Sequence, residues 1–252
     1  MARFAVVTGG STGIGRTLVE ALAGEGYKVA FSYRSHGEAA QSLEESVAKA
    51  GGEALGIACD VGDRGEVDRF FDAACAWAED APDLLVNNAG VQSWAALVDL
   101  EEDDWDRVIR TNLKGCFLNT KRAAKAMIAA GKGGAIVNIG SGCNKLAFPK
   151  LVSYTASKGG IEQFTKVAAV ELGPHGITVN CVAPGAIALE RTLEEVPDYE
   201  ETWSKITPLR RIGRPEDIVG PVMFFATPAA AFVTGQTLWV DGGVFSQAAW
   251  PY

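Results

Sequence analysis

Positive charge is in short supply in this chain: 23 Lys and Arg stand against 31 Asp and Glu, a formal net charge of -8 at pH 7. Nucleic acid and anionic membrane are held by basic patches, so this balance argues against either as a generic partner. Cysteine is sparse too. The five residues (59, 75, 116, 143 and 181) are scattered, odd in number and free of Cys-x-x-Cys spacing. That leaves no disulfide framework and no structural zinc, and predicts reduced thiols in a cytoplasmic protein with no metal site. Long apolar runs are missing as well. The longest uncharged stretch, Ile218 to Val240, has the length of a membrane span, but Pro221, Pro228 and Gly235 interrupt it. It reads as a buried helix, a turn and a strand. Met1-Ala2-Arg3-Phe4 runs straight into a strand, which predicts no signal peptide. Linkers, internal repeats and low-complexity tracts are absent, and 48% hydrophobic residues suit one sizeable core.

What is present alternates between two kinds of segment. Residues 3–8 (Arg-Phe-Ala-Val-Val-Thr) form a short apolar, β-branched run that reads as a buried parallel strand. Gly9-Gly10-Ser11-Thr12-Gly13-Ile14-Gly15 then turns the chain into a helix over about 14–25. Such a turn gathers backbone N–H groups and a positive helix end at one point, where a pyrophosphate is stabilised. Strands follow at 27–32, 54–59, 84–86, 134–140, 177–182 and 237–240, with helices at 37–50, 63–78, 101–130, 153–172 and 215–226. Uninterrupted β-α alternation predicts a single-domain α/β fold, a doubly wound seven-stranded parallel sheet of Rossmann type. Its ligand crevice lies at the carboxyl ends of the strands. At the end of the second strand stand Ser32-Tyr33-Arg34-Ser35, with no carboxylate to accept bonds from a free ribose 2′-hydroxyl. Arg34 offers a planar fork suited to phosphate, so NADP(H) is favoured, with NAD(H) left open. Asp60-Val61 follow the third strand and could meet an adenine edge; Asp60 could instead cap the helix at 63–78. Asn87-Asn88-Ala89-Gly90 ends the fourth strand, its amides able to tie the sheet and its small residues leaving room for a flat ligand.

Tyr154 and Lys158 lie four apart on the helix at 153–172 and so share one face. A phenol beside an ammonium is a plausible acid/base pair: at ~4 Å and an effective dielectric of ~20 the charge favours the phenolate by about 4 kcal/mol. Together the motifs Thr8-Gly9-Gly10-Ser11-Thr12-Gly13-Ile14-Gly15, Asn87-Asn88-Ala89-Gly90, Ser141, Tyr154-x-x-x-Lys158 and Pro184-Gly185 resemble the short-chain dehydrogenase/reductase family over essentially the whole chain. Ser141 precedes the Tyr by the thirteen positions usual in the family.

The resemblance implies a catalytic tetrad of Asn112, Ser141, Tyr154 and Lys158. Tyr154 would move the proton at the substrate oxygen while hydride moves at the nicotinamide. Lys158 would hold the nicotinamide ribose and favour the phenolate, Ser141 would orient the carbonyl, and Asn112 would hold a water on the proton's way to solvent. It also implies cofactor contacts from Gly9, Ser11, Thr12, Gly13, Ile14, Gly15, Tyr33, Arg34, Ser35, Asp60, Val61, Asn88, Ala89, Gly90, Tyr154, Lys158, Pro184, Gly185 and Ile187. Two positions depart from common patterns. Leu189 stands where many relatives carry Thr, leaving the Ile187 backbone as anchor for the carboxamide, and His175 replaces an Arg that faces acyl carrier protein in its reductases.

The expected pocket is lined by Gln92, Trp94, Cys143 and Asn144, with residues 188–211 as a charged lid. Gln92 and Asn144 could bond hydroxyls and Trp94 could stack on a ring. The stretch around Tyr33-Arg34-Ser35 is similar to bacterial glucose 1-dehydrogenases. A sugar or polyol substrate is therefore placed ahead of a 3-oxoacyl thioester, and a non-catalytic nucleotide sensor is the alternative of another class. The family resemblance further implies a homotetramer built on the last helix and the strand region 236–244. The tail 245–252 would bury Trp250 and Tyr252 at a subunit contact.

Overall fold

Strand β1 (Arg3–Val7) lies at the heart of the sheet because four of its five residues are apolar and can be covered from both sides. Side chains alternate along it: Ala5 and Val7 join one core, Phe4 and Val6 the other. The computed structural model describes residues 3–248, and for Arg191 only the backbone. The chain continues through α1 (Gly13–Gly24), β2 (Tyr27–Tyr33), α2 (Gly37–Lys49), β3 (Glu53–Ala58), α3 (Arg64–Ala78) and β4 (Leu84–Asn87). The second half holds α4 (Glu102–Ile109), α5 (Gly115–Ala129), β5 (Gly134–Ile139), α6 (Val152–Leu172) and β6 (Ile177–Pro184). It closes with α7 (Glu190–Glu195), α8 (Tyr199–Ile206), α9 (Glu216–Phe225) and β7 (Thr237–Val240).

All seven strands pair in parallel, in the order β3-β2-β1-β4-β5-β6-β7. The order reverses between β1 and β4, the switch point at which such sheets open a crevice. One core packs α1, α2 and α9 on the sheet through Leu18, Leu22, Leu43 and Ile218; the other packs α3, α5 and α6 through Phe70, Phe71, Met127 and Ala168. The Leu, Ile, Phe and Met side chains among these contribute about 1.5–3 kcal/mol each by leaving water.

The fold departs from the sequence-based expectation in three places. The periodicity of 37–50 predicts a buried stripe of Ala39, Leu43, Val47 and Ala50; the structure buries Ala40, Leu43 and Val47 on α2 and leaves Ala39 half-buried and Ala50 exposed. Asp63 rather than Asp60 caps α3, its carboxylate accepting from the Glu66 N–H at 2.9 Å. The helix expected over 101–130 is continuous but not uniform: α4 and α5 are joined by a π-helical turn at Arg110–Lys114. Such single-turn π bulges concentrate at functional sites, and Asn112 sits in this one. Residues 188–211 are structured as α7 and α8 with their connections. The described part of the chain ends before Trp250 and Tyr252, so the burial expected for them lies outside the described residues. Among the described residues no helix is long and apolar enough to cross a membrane.

Candidate active site

The glycine turn after β1 is held from two sides. From β2, the Ser32 hydroxyl accepts the Gly9 N–H at 3.2 Å and the Ser32 carbonyl accepts the Gly10 N–H at 2.9 Å. From β4, the Asn88 amide donates to the carbonyls of Thr8 and Gly9, both at 3.0 Å, while the Thr8 hydroxyl accepts the N–H groups of Asn88 and Ala89. Space is as tight as the bonding. A Cβ on Gly15 would stand 2.1 Å from the Gly9 carbonyl oxygen and 2.6 Å from the Asn88 amide nitrogen. Gly9 and Gly13 hold φ values of +63° and +53°, which favour glycine. Thr12 precedes α1 without its side chain capping the helix, so the first-turn N–H groups stay open to an anion. This is a cradle that fits a dinucleotide pyrophosphate.

At the adenosine end Tyr33 is partly buried and Arg34 and Ser35 are exposed. Arg34 makes no ion pair or hydrogen bond among the described residues, and no carboxylate stands beside it on β2. Asp60 is committed elsewhere: one oxygen accepts the Gly62 N–H and the other pairs with Arg110, both at 2.9 Å. Val61 is buried and packs against Gly115.

The catalytic candidates converge at the carboxyl ends of β4 and β5. Asn112 is 1% exposed; its amide donates to the Val91 carbonyl at 2.9 Å and the Ser157 hydroxyl at 3.0 Å, and accepts the Val91 N–H at 2.8 Å. Ser157 in turn donates to the Tyr154 carbonyl at 2.7 Å. The amide therefore ties the π turn to α6 one residue from Lys158. Lys158 is 4% exposed, donates to the Ile139 carbonyl at 2.7 Å, and places its ammonium 5.5 Å from the centre of the Tyr154 ring. A cavity of about 10 Å³ is lined by Thr8, Asn87, Thr111, Asn112 and Ile139, the residue whose carbonyl holds Lys158. The Thr111 hydroxyl and the Asn87 side-chain amide oxygen, both buried, find no partner among the described residues, and the space matches a single water.

Ser141, two residues past β5, opens a short 3-10 turn as a capping box: its hydroxyl accepts the Cys143 N–H at 3.3 Å and its N–H donates to Asn144 at 3.1 Å. Asn144 also donates to the Cys181 thiol, 3.8 Å away, so its amide shapes the Ser141 turn while a second N–H stays free on this half-buried side chain. Cys143 is buried, and that burial raises its thiol above the ordinary range. Gln92 is partly buried, while Trp94 is 58% exposed at the rim. After β6, Gly185 passes Asp241 so closely that a Cβ would lie 2.8 Å from its Cα. Ile187 is buried and bridges to Gly213, and the Leu189 side chain reaches Gly13 across the crevice.

A family model described as enoyl-(acyl carrier protein) reductase matches residues 9–245. The chain belongs to the short-chain dehydrogenase/reductase family. This dehydrogenase/reductase is 41% identical over 244 residues to a 3-oxoacyl-[acyl-carrier-protein] reductase of Synechocystis sp., covering 96% of this chain and 97% of the relative. It is 35% identical over 245 residues to an L-rhamnose 1-dehydrogenase (NAD(P)(+)) of Azotobacter vinelandii, covering 95% of each. Among solved structures, a gluconate 5-dehydrogenase of Burkholderia cenocepacia in complex with NADP and tartrate superimposes with a TM-score of 0.90. It shares 37% identity, covering 98% of this chain and 96% of that one.

Sequence reasoning missed several residues of this reductase's site. Ser32 carries the glycine turn; Asn87 ties the sheet as expected, but its partners Asn138 and Thr120, with Thr165 beyond, were not foreseen, and together they join β4 and β5 to α5 and α6. The signal for the network was polar residues recurring on otherwise apolar strands and helix faces. Tyr199 was missed as well. Burial pushes its phenol up to about 12, and Tyr154 acts in the same direction.

Proposed function

We propose that this protein is an NADP(H)-dependent oxidoreductase that interconverts a secondary alcohol and a carbonyl, acting on a sugar, polyol or other small carbonyl compound. The observation that carries this is the buried Lys158 ammonium, fixed on the Ile139 carbonyl and set 5.5 Å from the Tyr154 ring at the mouth of the switch-point crevice. The fit of the glycine cradle supports the cofactor, with Gly9, Ser11, Thr12, Gly13, Ile14 and Gly15 around the pyrophosphate. Tyr33, Arg34 and Ser35 would take the ribose phosphate and Val61 the adenine. Asn88, Ala89 and Gly90 with Lys158 would hold the nicotinamide ribose, and Pro184, Gly185 and Ile187 the carboxamide. Bound there, the nicotinamide supplies or accepts the hydride.

Tyr154 donates its proton to the carbonyl oxygen in reduction and takes it back from the alcohol in oxidation. Lys158 favours the phenolate through its charge. Ser141 donates to the substrate oxygen and sets the carbonyl against Tyr154. Asn112 holds the π turn, and with it one wall of the small cavity, from which a water would pass the proton on through Lys158.

The sugar or polyol reading draws on the relatives that act on L-rhamnose and gluconate, and on His175 and the net charge of -8, which offer little to an acidic carrier. The Synechocystis relative favours the second reading, a 3-oxoacyl thioester reductase. An activity screen over aldoses, polyols and 3-oxoacyl esters with both cofactors separates them. Tyr154→Phe should abolish turnover while retaining NADPH binding by fluorescence titration. Turnover at wild-type rate would remove the mechanism, and NADPH binding with no turnover of any substrate would favour the sensor. We also infer a homotetramer, for which Phe224, Phe232 and Leu238 supply exposed apolar surface near α9 and β7; a monomer by gel filtration would refute it.

A further inference from the structure

Tyr154 sits in the first turn of α6, the part of a helix whose backbone N–H groups lack partners within the helix and which frays most readily. Nothing local secures it. Leu151, at the N-cap, offers no side-chain bond. Lys150, just before it, holds a φ of +67°, a left-handed conformation that a residue with a side chain adopts when its surroundings impose it. Lys158 lies one turn further in, where its own bond to Ile139 fixes it. The separation of the two side chains therefore depends on what keeps the first turn in place.

That support comes from residues 91–95, which follow the end of β4. At one end the Asn112 amide grips Val91 twice, accepting its N–H at 2.8 Å and donating to its carbonyl at 2.9 Å. At the other, the Ala95 N–H donates to the Lys150 carbonyl at 3.0 Å, and Ala95 bridges in parallel to Leu151. Between these points the hydroxyls of Ser93 and Ser153 meet at 2.9 Å. Ser153 is fully buried and Ser93 is 8% exposed. Among the described residues this is the hydrogen bond that each hydroxyl makes. Two alanines would serve packing as well, because a buried hydroxyl gives up its water whether or not it finds a partner. The pair fixes a position and not a volume.

We propose that residues 91–95 brace the first turn of α6, and that Ser93 and Ser153 are positioning residues that hold Tyr154 in its place relative to Lys158. This rests on the reading of Tyr154 as the acid/base. The brace is continuous with the grip of Asn112. The amide that holds Val91 also bonds Ser157, whose hydroxyl donates to the Tyr154 carbonyl at 2.7 Å. Tyr154 is thus secured through its own carbonyl on one side and through its neighbour Ser153 on the other.

The test compares Ser93→Ala, Ser153→Ala and the double variant. The Ala95 bond to Lys150 survives in all three, so the chain keeps its course while the first turn loosens. Amide hydrogen exchange followed by mass spectrometry should show peptides over 151–157 exchanging about three- to tenfold faster, the equivalent of one hydrogen bond, with β5 unchanged. The kinetic probes are ethyl 3-oxobutanoate with NADPH and D-glucose with NADP+. For these kcat should fall about tenfold or more while KM for substrate and cofactor stays within about twofold, because a displaced acid/base costs rate and not binding. The double variant separates positioning from stability. Each single variant strands one buried hydroxyl and should lower Tm; the double variant strands none and should regain most of that loss while its kcat stays low. Recovery of kcat together with Tm, an effect carried by KM, or unchanged exchange over 151–157 would overturn the proposal. Wild-type turnover of neither probe refutes the reading of Tyr154 and this proposal together. Turnover with unchanged exchange refutes the proposal alone.

Discussion

Gly15→Ala is the sharpest test of the cradle because the structure fixes what the added methyl must displace. The new carbon would lie 2.1 Å from the Gly9 carbonyl oxygen, against about 3.3 Å for a close C–H···O contact. Roughly 1.2 Å must therefore be opened between the first turn of α1 and the glycine turn. Neither side is a flexible side chain. The Gly9 carbonyl accepts the Asn88 amide at 3.0 Å, and the Gly9 N–H is bonded to Ser32. Overpacking costs about 1–3 kcal/mol, and losing one of these bonds adds about 0.5–1.5 kcal/mol. A total near 2–4 kcal/mol leaves the chain folded, since domains hold about 5–15 kcal/mol. For this length it corresponds to a fall in Tm of about 4–16 °C. NADPH affinity should fall by more than about tenfold, because the displaced N–H groups are those offered to the pyrophosphate. Gly24→Ala supplies the control on the same helix. Nothing lies within 4 Å of its added carbon, so it should raise stability by up to about 1 kcal/mol. Thermal melts with and without NADPH decide the matter. A Gly15→Ala protein matching wild type in Tm and in its NADPH-induced shift would show that the cradle is not shaped as described.

Arg34→Ala should weaken NADP(H) binding about 10- to 100-fold, the worth of a charge-assisted bond, and NAD(H) binding by less than about threefold; parallel losses would deny it the phosphate. Asp217, held down to about 2 mainly by Arg211, binds its proton less readily folded than unfolded. Its contribution is present above the ordinary carboxylate range and lost as pH falls through about 2. Asp217→Asn should therefore lose about 1 kcal/mol or less at neutral pH, screened as the pair is, and show a shallower acid decline in melts across this range; an identical slope would contradict the pairing. Burial pushes Cys59 and Cys116 up to about 12 and Cys181 to about 11. These three thiols should resist a thiol-titrating disulfide reagent in the native protein near pH 8 and react once it is unfolded. Rapid native reaction at all five cysteines would exclude the buried arrangement.

The sheet was legible because its strands are apolar on both faces and its helices carry a one-sided stripe. Both are local patterns whose period does not depend on the rest of the fold. Where a second residue of the right kind lay nearby, the reading drifted. Asp60 and Asp63 both precede α3, and either could cap it; Arg110, fifty residues away, takes Asp60 and leaves the cap to Asp63. Ala39 and Ala40 are equal in hydropathy and both lie about one turn from Leu43, so the local pattern does not choose between them; packing on the sheet buries Ala40.

The site divides along the same line. Tyr154, Lys158 and the glycines announce themselves through spacing, because a helix face and a tight turn are defined by neighbours in sequence. The lid is legible only as a charged insertion: its helices α7 and α8 and the ring pair of Tyr199 and Trp203 emerge only in the fold. The π turn is the clearest case. Nothing in Arg110–Lys114 forbids an ordinary helix, and the bulge is held from outside. Arg110 is drawn to Asp60, Gly115 makes room for Val61, and Asn112 is bonded to Val91 and Ser157. The loop after β3, expected to serve the adenine, therefore also braces the turn that carries Asn112. Removing the brace with Asp60→Ala should then lower kcat more than it raises the KM for NADP(H), since it frees Arg110 and loosens Asn112 without touching the cradle. A change confined to cofactor KM would mean that Asp60 serves the adenine end alone and that the π turn stands without it.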